Sequence, residues 1–332
     1  MAKGTNEPPG LSFSRETFAK LTPGPFLHAH LKQPNPVRPN GRSLDEFRKP
    51  TVNTGSLTHS NGSAVVRNGD TAVVCGVRAE VLLASDVPHP PKGDVPRESL
   101  VEDLGLLVPN VELSTGCSPS HLPGNPPGTL AQSLSYRVLS LLNMSNIIDP
   151  SELEIKYTEP QTDDDLPDEG PQIITKAYWT LYIDILCIAL DGNAFDTIWA
   201  AVMAAFKDTI LPKAWWDPDR EMIICSPHVD EATQLKLNDL PISSTFMSFT
   251  TASPLKQTEE AENWVLADPD TFEEDVCNEA LTVVTANGSH GRKRLLKIEK
   301  VGGAALTASL IRDCVQLAAA RCLEWHAILD RG

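Results

Sequence analysis

Residues 38–80 read RPNGRSLDEFRKPTVNTGSLTHSNGSAVVRNGDTAVVCGVRAE, and this stretch decides the fold. An arginine-bearing segment leads into three β-rich runs separated by turn residues. Residues 51–60 end at Asn61-Gly62, a dipeptide that readily adopts the positive φ angles of a tight hairpin. Residues 63–67 end at Asn68-Gly69-Asp70, a second turn of the same chemistry. Residues 71–84 are nearly continuous in Ala, Val and Leu, as in a strand covered on both faces. The expectation is a three-stranded meander that founds a sheet.

Upstream, residues 1–37 form a Pro/Gly-rich leader, expected to be partly mobile with a short helix at 14–21 begun by Ser14. Pro23, Pro25, Pro34, Pro36 and Pro39 are expected to hold the chain extended after it. Downstream, residues 85–98 are a proline-rich loop. Residues 106–113 read as a strand with Pro109 at an edge or bulge. Residues 129–143 have the helix period, with Leu130, Leu134, Val138, Leu141 and Leu142 on one face. A strand starts at 153–156, and residues 159–171, with Asp163, Asp164 and Asp165, form a solvated acidic insertion. Residues 173–190 are a central strand that Asp191-Gly192-Asn193 turns into a helix at 194–210, stopped by Pro212. Runs at 246–251, 264–267, 280–286 and 295–300 suggest a second meander with Asn287-Gly288 as a turn. Gly302-Gly303 then opens a long helix at 306–328.

Composition narrows the function classes. The 332 residues are 41% hydrophobic and 22% charged, enough apolar material for a sizeable core. No run of about eighteen apolar residues occurs, so no membrane span is expected, and the N-terminus lacks the apolar centre of a secretory signal. Seven cysteines are scattered without a C-x-x-C pair; this argues against zinc and against a disulfide framework, and for buried free thiols. The net charge of −16 argues against autonomous RNA binding, because phosphate neutralisation supplies most of such affinity. No P-loop, dinucleotide fingerprint or Ser-His-Asp signature is present.

Arg38-Pro39-Asn40-Gly41-Arg42, then Gly62-Ser63-Ala64, then Gly69-Asp70-Thr71-Ala72-Val73-Val74-Cys75 resemble, in order and spacing, the opening of the RNase PH family. That family includes bacterial RNase PH, polynucleotide phosphorylase and the six ring subunits of the eukaryotic RNA exosome. The resemblance runs from about residue 38 to 328. It implies an α/β (α+β) fold of the ribosomal protein S5 domain 2-like type, with two pseudo-duplicated strand-rich halves, each with packed helices. Residues 38–330 would form one domain with loop insertions near 85–105 and 159–172.

Active relatives shorten RNA by phosphorolysis, and the resemblance says where that chemistry would lie. Two anions must be brought together, so fixed donors and cations are needed. The phosphate cradle of active relatives is a Gly-Gly-Thr-Arg-Thr type sequence at a helix N-terminus. The matching residues here are Asp191, Gly192, Asn193, Ala194 and Phe195: the arginine and flanking hydroxyls are gone, and Asp191 and Asp196 would repel phosphate. The RNA-facing row of three arginines keeps only Arg137, with Ser133 and Ser140 in the other slots; Arg137 is either an RNA contact or a surface ion pair. Asp268 and Glu274 reproduce the six-residue spacing of the metal-binding aspartates, yet they also fit a solvated acidic hairpin. The basic run Arg292, Lys293 and Arg294 beside Gly291 could touch RNA or an acidic partner, or be a solvated turn. Cys117 with His121, His28 with His30, and Gly302-Gly303 are weaker ligand candidates that fit loops and a helix start.

The expected role is a non-catalytic ring subunit of the exosome without a cofactor, supporting rRNA processing and mRNA decay. Its expected partners are other RNase PH-type subunits in a six-membered ring, S1/KH cap proteins and a hydrolytic nuclease fed by RNA through the channel, with no membrane. Nucleus, nucleolus and cytoplasm are the expected compartments. The alternative is an active phosphorolytic 3′-5′ exoribonuclease. A freestanding RNA-binding module is disfavoured by the charge.

Overall fold

The computed structural model describes residues 13–88, 99–119, 128–160, 172–251, 262–288, 293–303 and 306–331. Two short helices come first. In α1 (Arg15–Leu21) the Ser14 hydroxyl accepts from the Thr17 amide, as expected of a cap. α2 (Pro23–Leu31) follows at once, so prolines expected to keep this stretch extended start a helix instead. A proline in the first turn forfeits no intrahelical bond. Leu27 and Leu31 are buried with Phe249, Leu266 and Cys277, which docks this part of the leader on the second half of the molecule.

The first half is built from β1 (Pro50–Thr54), β2 (Gly62–Asn68), β3 (Thr71–Leu83), α3 (Leu100–Asp103), β4 (Leu107–Leu113), α4 (Thr129–Ser145), α5 (Pro150–Leu153), β5 (Glu154–Thr158) and β6 (Ile173–Ala189). Its sheet runs β1-β2-β3-β6-β4, with β5 also paired to β6. The expected meander forms, but its two turns differ. Asn68 pairs with Thr71, so Gly69-Asp70 is a two-residue turn with Gly69 at φ 64°. Thr54 pairs with Ala64, so Asn61-Gly62 is not a tight hairpin. Instead the Asn61 side chain accepts from the Ala79 amide at 2.8 Å and its carbonyl accepts from Ile210 at 2.8 Å. Gly62 is required by packing: a Cβ there would lie 2.6 Å from the Ala205 carbonyl oxygen. β3 alternates buried Val73, Cys75 and Val77 with partly exposed Val74 and Gly76, so only one face is covered, not both. β4 is parallel to β6 and lies at the edge, which accommodates Pro109. On α4 the buried stripe is Ala131, Leu134, Val138, Leu141 and Leu142, while Leu130 is 43% exposed.

α6 (Ala194–Asp208) is apolar around most of its circumference, and every residue from Ala194 to Phe206 is buried. It packs on β2 and β3 on one side and on β11 (Pro241–Thr250) on the other. Such a helix needs cover all round. Its buried Trp199 indole donates to the Pro241 carbonyl at 2.7 Å. The helix ends at Thr209, whose hydroxyl donates back to the Ala205 carbonyl, ahead of the expected stop at Pro212. Short strands β7 (Ile210–Leu211), β8 (Ala214–Asp217), β9 (Met222–Cys225) and β10 (Thr233–Gln234), which the sequence did not reveal, make two small pairs before β11.

The second half adds β12 (Asn263–Ala267), α7 (Thr271–Val276), β13 (Glu279–Asn287), β14 (Lys293–Val301) and α8 (Ala308–Leu329). The order β12-β11-β13-β14 puts β11 inside the sheet, so this is not a simple meander. Asn287 pairs with Lys293, so the connection at Asn287-Gly288 is longer than a two-residue turn. α8 starts at Thr307, whose hydroxyl accepts from Leu310. Gly302 and Gly303, at φ 75° and 61°, end β14 against Asn278 and Glu279 and do not open the helix. Two strand-rich halves with packed helices result, with α6 between them. No helix among the described residues is long and apolar enough to cross a membrane.

Candidate functional site

The residues singled out by the sequence meet where β6 turns into α6. Gly192 has φ 68°, and a Cβ there would lie 2.7 Å from Asp270 Cα, so the turn presses against the 268–276 segment. Asn193, also left-handed at φ 47°, stands at the N-cap of α6 without a side-chain bond to the backbone amides of the helix. Its backbone amide donates to Glu274 Oε1 at 2.8 Å, and its side-chain nitrogen donates to Asp268 Oδ1 at 2.7 Å and Asp196 Oδ2 at 2.8 Å. Ala194 and Phe195 are buried.

Asp268 and Glu274 do not form a free carboxylate pair. Arg48 grips Asp268 with two parallel bonds, Nε to Oδ2 at 2.9 Å and a terminal nitrogen to Oδ1 at 2.7 Å, and its backbone amide adds a third at 2.8 Å. Burial pushes the Asp268 carboxyl up, but the bonds and charge of Arg48 outweigh it and hold the group at about 2. Glu274 is pushed the other way: burial raises it to about 7 against the pull of the Asn193 amide and Arg48. Asp196 is buried, accepting from the Ser243 hydroxyl at 2.7 Å and the Thr245 amide at 2.7 Å. Burial raises its carboxyl as well, partly opposed by Ser243 and Asn193. Asp191, the other acid expected to repel phosphate, keeps a partly exposed side chain 3.8 Å from Arg48.

The solvated acidic hairpin, the alternative reading of Asp268 and Glu274, does not form here: Asp268 and Glu273 are buried. Glu273 and Arg38 form an ion pair in which both side chains are wholly buried. Arg38 also donates to the Ala267 carbonyl at 2.6 Å, and Arg42 donates to the Asp268 carbonyl at 2.9 Å. Asp270 and Glu273 form a capping box that starts α7. Arg38, Arg42, Arg48 and Asn68, none of them assigned a site role from the sequence, are what turn these acids inward. The available signal was a run of three arginines within eleven residues of an acidic chain, adjoining the meander.

Arg137 on α4 reaches the same place. Its guanidinium lies 3.9 Å from the centroid of the Phe195 ring, and it contacts Glu299 at 3.3 Å and the Thr282 hydroxyl at 3.1 Å. It bridges the two halves rather than facing solvent as a surface pair. Ser135, not Ser133 or Ser140, makes a bond here, to the Pro109 carbonyl. The basic run is elsewhere: Arg294 pairs with Asp239 at 3.2 Å, Lys293 lies six residues along β14 from Glu299, about 20 Å by strand rise, and Arg292 lies outside the described residues. His121 and the three aspartates at 163–165 also lie outside them. Cys117 is buried, His28 contacts Glu262 at 3.3 Å, and His30 bonds the Phe26 carbonyl at 2.9 Å.

A divalent ion does not fit this arrangement. Both Asp268 oxygens are taken by Arg48 and Asn193, so a cation would have to displace a guanidinium. Among the described residues no group of three His, Cys, Asp or Glu side chains is placed to hold a metal ion.

With the fold and these contacts in view, the chain belongs to the 3′ exoribonuclease family of the RNase PH type, whose domain 1 matches residues 46–212. It is 35% identical over 308 residues to exosome complex component rrp43 of Schizosaccharomyces pombe, covering 93% of this chain and 95% of that protein. It is 28% identical over 299 residues to exosome complex component Rrp42 of Methanothermobacter thermautotrophicus, covering 90% and 91%. The fold resembles that of the Archaeoglobus fulgidus exosome with RNA bound to the active site, at a TM-score of 0.63 and 25% identity over 91% of this chain and 96% of that one. An archaeal exosome core shares the fold at a TM-score of 0.62 and 22% identity, over 96% and 100%.

Proposed function

We propose that this chain is a non-catalytic ring subunit of an RNA exosome, a wall element that supports 3′-to-5′ RNA processing and degradation by a separate nuclease. One observation carries the proposal. At the N-terminus of α6, where active relatives cradle the attacking phosphate, the Asn193 amide is occupied by the chain's own Glu274 carboxylate. That donor is closed to a phosphate, which would also meet Asp191 beside the turn, with Ala194 and Phe195 in place of an arginine and nothing to offset its repulsion from RNA. Asp191, Gly192, Asn193, Ala194 and Phe195 are thus a degenerate phosphate position.

The likeness to proteins named as exosome components supports the assembly. On this reading the chain sits beside other RNase PH-type subunits in a six-membered ring and meets S1/KH cap proteins. RNA passes through the channel to a hydrolytic nuclease, in the nucleus, nucleolus and cytoplasm, serving rRNA processing and mRNA decay. A net charge of −16 suits a wall better than an independent RNA grip. The test is the native mass and composition of the complex purified through this chain. A multi-subunit particle with several RNase PH-type chains is expected; a homo-oligomer that releases nucleoside diphosphates overturns the reading.

A further inference from the structure

α4 and α6 pack on the inner face of the first sheet, and its outer face, buried at Tyr178 and Thr180, opens among the described residues around 184–188 of β6. Cross-strand rows Val74–Leu186–Glu112 and Gly76–Asp184–Asn110 point outward, as the burial alternation of β3, β4 and β6 shows. Leu186 is 39% exposed and Ile188 beyond it 49%. The irregular segment 56–60 forms one wall over this face and the β4 edge the other, enclosing a groove of about 580 Å³. Gly76 makes it deep: a Cβ there would already lie 3.1 Å from the Leu57 methyl.

The groove has an apolar floor, and of its charged lining residues two are acidic, Asp184 and Glu112, against one basic, Arg78. Among the described residues Asp184 receives only the Asn110 amide, at 3.4 Å, and Glu112 has no partner. Arg78, in the groove wall, shares its charge with Glu80 in an exposed pair at 3.2 Å, which leaves the lining and its surroundings net negative. The apolar floor can take an aliphatic side chain out of water, and the carboxylates select the sign of what enters. RNA phosphate is repelled, whereas an aliphatic side chain flanked by Lys or Arg satisfies both the floor and the rim.

We infer that this groove, walled by Leu57 and His59 and floored by Gly76 and Leu186 beneath Asp184 and Glu112, docks a segment of a partner protein presenting an apolar residue flanked by basic ones. The inference rests on the ring-subunit reading only in expecting such a partner. The test places a photo-crosslinking amino acid at Leu186, irradiates in living cells, and maps the adduct after denaturing purification. A synthetic peptide of the captured segment is then titrated against the full chain and against the Glu112→Lys/Asp184→Lys variant, whose unchanged Tm is checked first. The expected result is one partner, captured within a few residues of an apolar side chain next to Lys or Arg, with peptide affinity at least tenfold weaker for the variant. No adduct, an adduct to RNA or to a second copy of this chain, or affinity unmoved by charge reversal overturns the inference. The native mass of the complex, measured separately, distinguishes this failure from failure of the ring-subunit reading: an intact particle with Leu186 uncaptured rejects the groove alone.

Discussion

The backbone amide of Asn193 donates to Glu274 Oε1 at 2.8 Å, across 81 residues of sequence. The Glu274 side chain of α7 thereby caps α6, satisfying a donor that helices leave open at their N-termini. The same contact fastens the second half of the molecule to the buried central helix.

Glu274 gives a pH dependence with a definite sign. Its carboxyl is raised from 4.5 to about 7 in the folded protein, so the unfolded chain loses this proton first. The contribution is fully present below about pH 4.5 and is lost as pH rises through about 7, by an amount of order 3 kcal/mol. Glu274→Gln keeps an acceptor oxygen and removes the titration. Thermal unfolding at pH 5 and pH 8 is expected to show a smaller drop in Tm for this variant than for the wild type.

Asp268 behaves oppositely. Held at about 2, it contributes stability above about pH 4 that is lost as pH falls toward 2. Arg48→Met strands a carboxylate that is only 1% exposed, and is expected to cost about 3–5 kcal/mol. Adding Asp268→Leu is expected to recover much of that loss. Urea titration of both variants measures it; a double variant less stable than Arg48→Met would contradict the pairing.

Gly62→Ala is expected to destabilise by about 1–3 kcal/mol through overpacking against the α6 carboxyl end. Pairing it with Thr209→Ser would leave the penalty largely in place, because serine keeps the hydroxyl oxygen and the Ala205 carbonyl oxygen and residue 209 Cα, each 2.6 Å from the added Cβ, are backbone. Chemical denaturation reads both.

Arg137→Ala is expected to cost about 1 kcal/mol of stability by losing its stack on Phe195 and its partly exposed ion pair. The RNA affinity of the isolated chain is expected to stay unchanged. Filter binding at low salt checks this, and a clear loss of affinity would restore Arg137 as an RNA contact.

The fold was legible where residues encode it locally. Gly69-Asp70 announced its turn, the β6 run its central strand, and Leu134, Val138, Leu141 and Leu142 the inner face of α4. The order of the short motifs from Arg38 to Cys75 identified the family. The candidate site was legible only in part, because its contacts are long-range. Arg48 and Asp268 are separated by 220 residues, and no local pattern says that an acidic segment will be turned inward to meet arginines. Nor did local pattern reveal α2, since Pro23 and Pro25 are compatible with both a helix start and an extended chain, and packing of Leu27 decides between them.

On the proposed reading this chain performs no phosphorolysis. That reading is tested most directly by measuring nucleoside diphosphate release from the 3′ end of single-stranded RNA, with and without inorganic phosphate. The complex purified through this chain is compared with the same complex carrying Glu274→Gln. Equal rates in the two complexes, and none above the no-protein control for the isolated chain, are predicted. Phosphate-dependent release by the isolated chain, reduced at least tenfold by Glu274→Gln, would contradict the account.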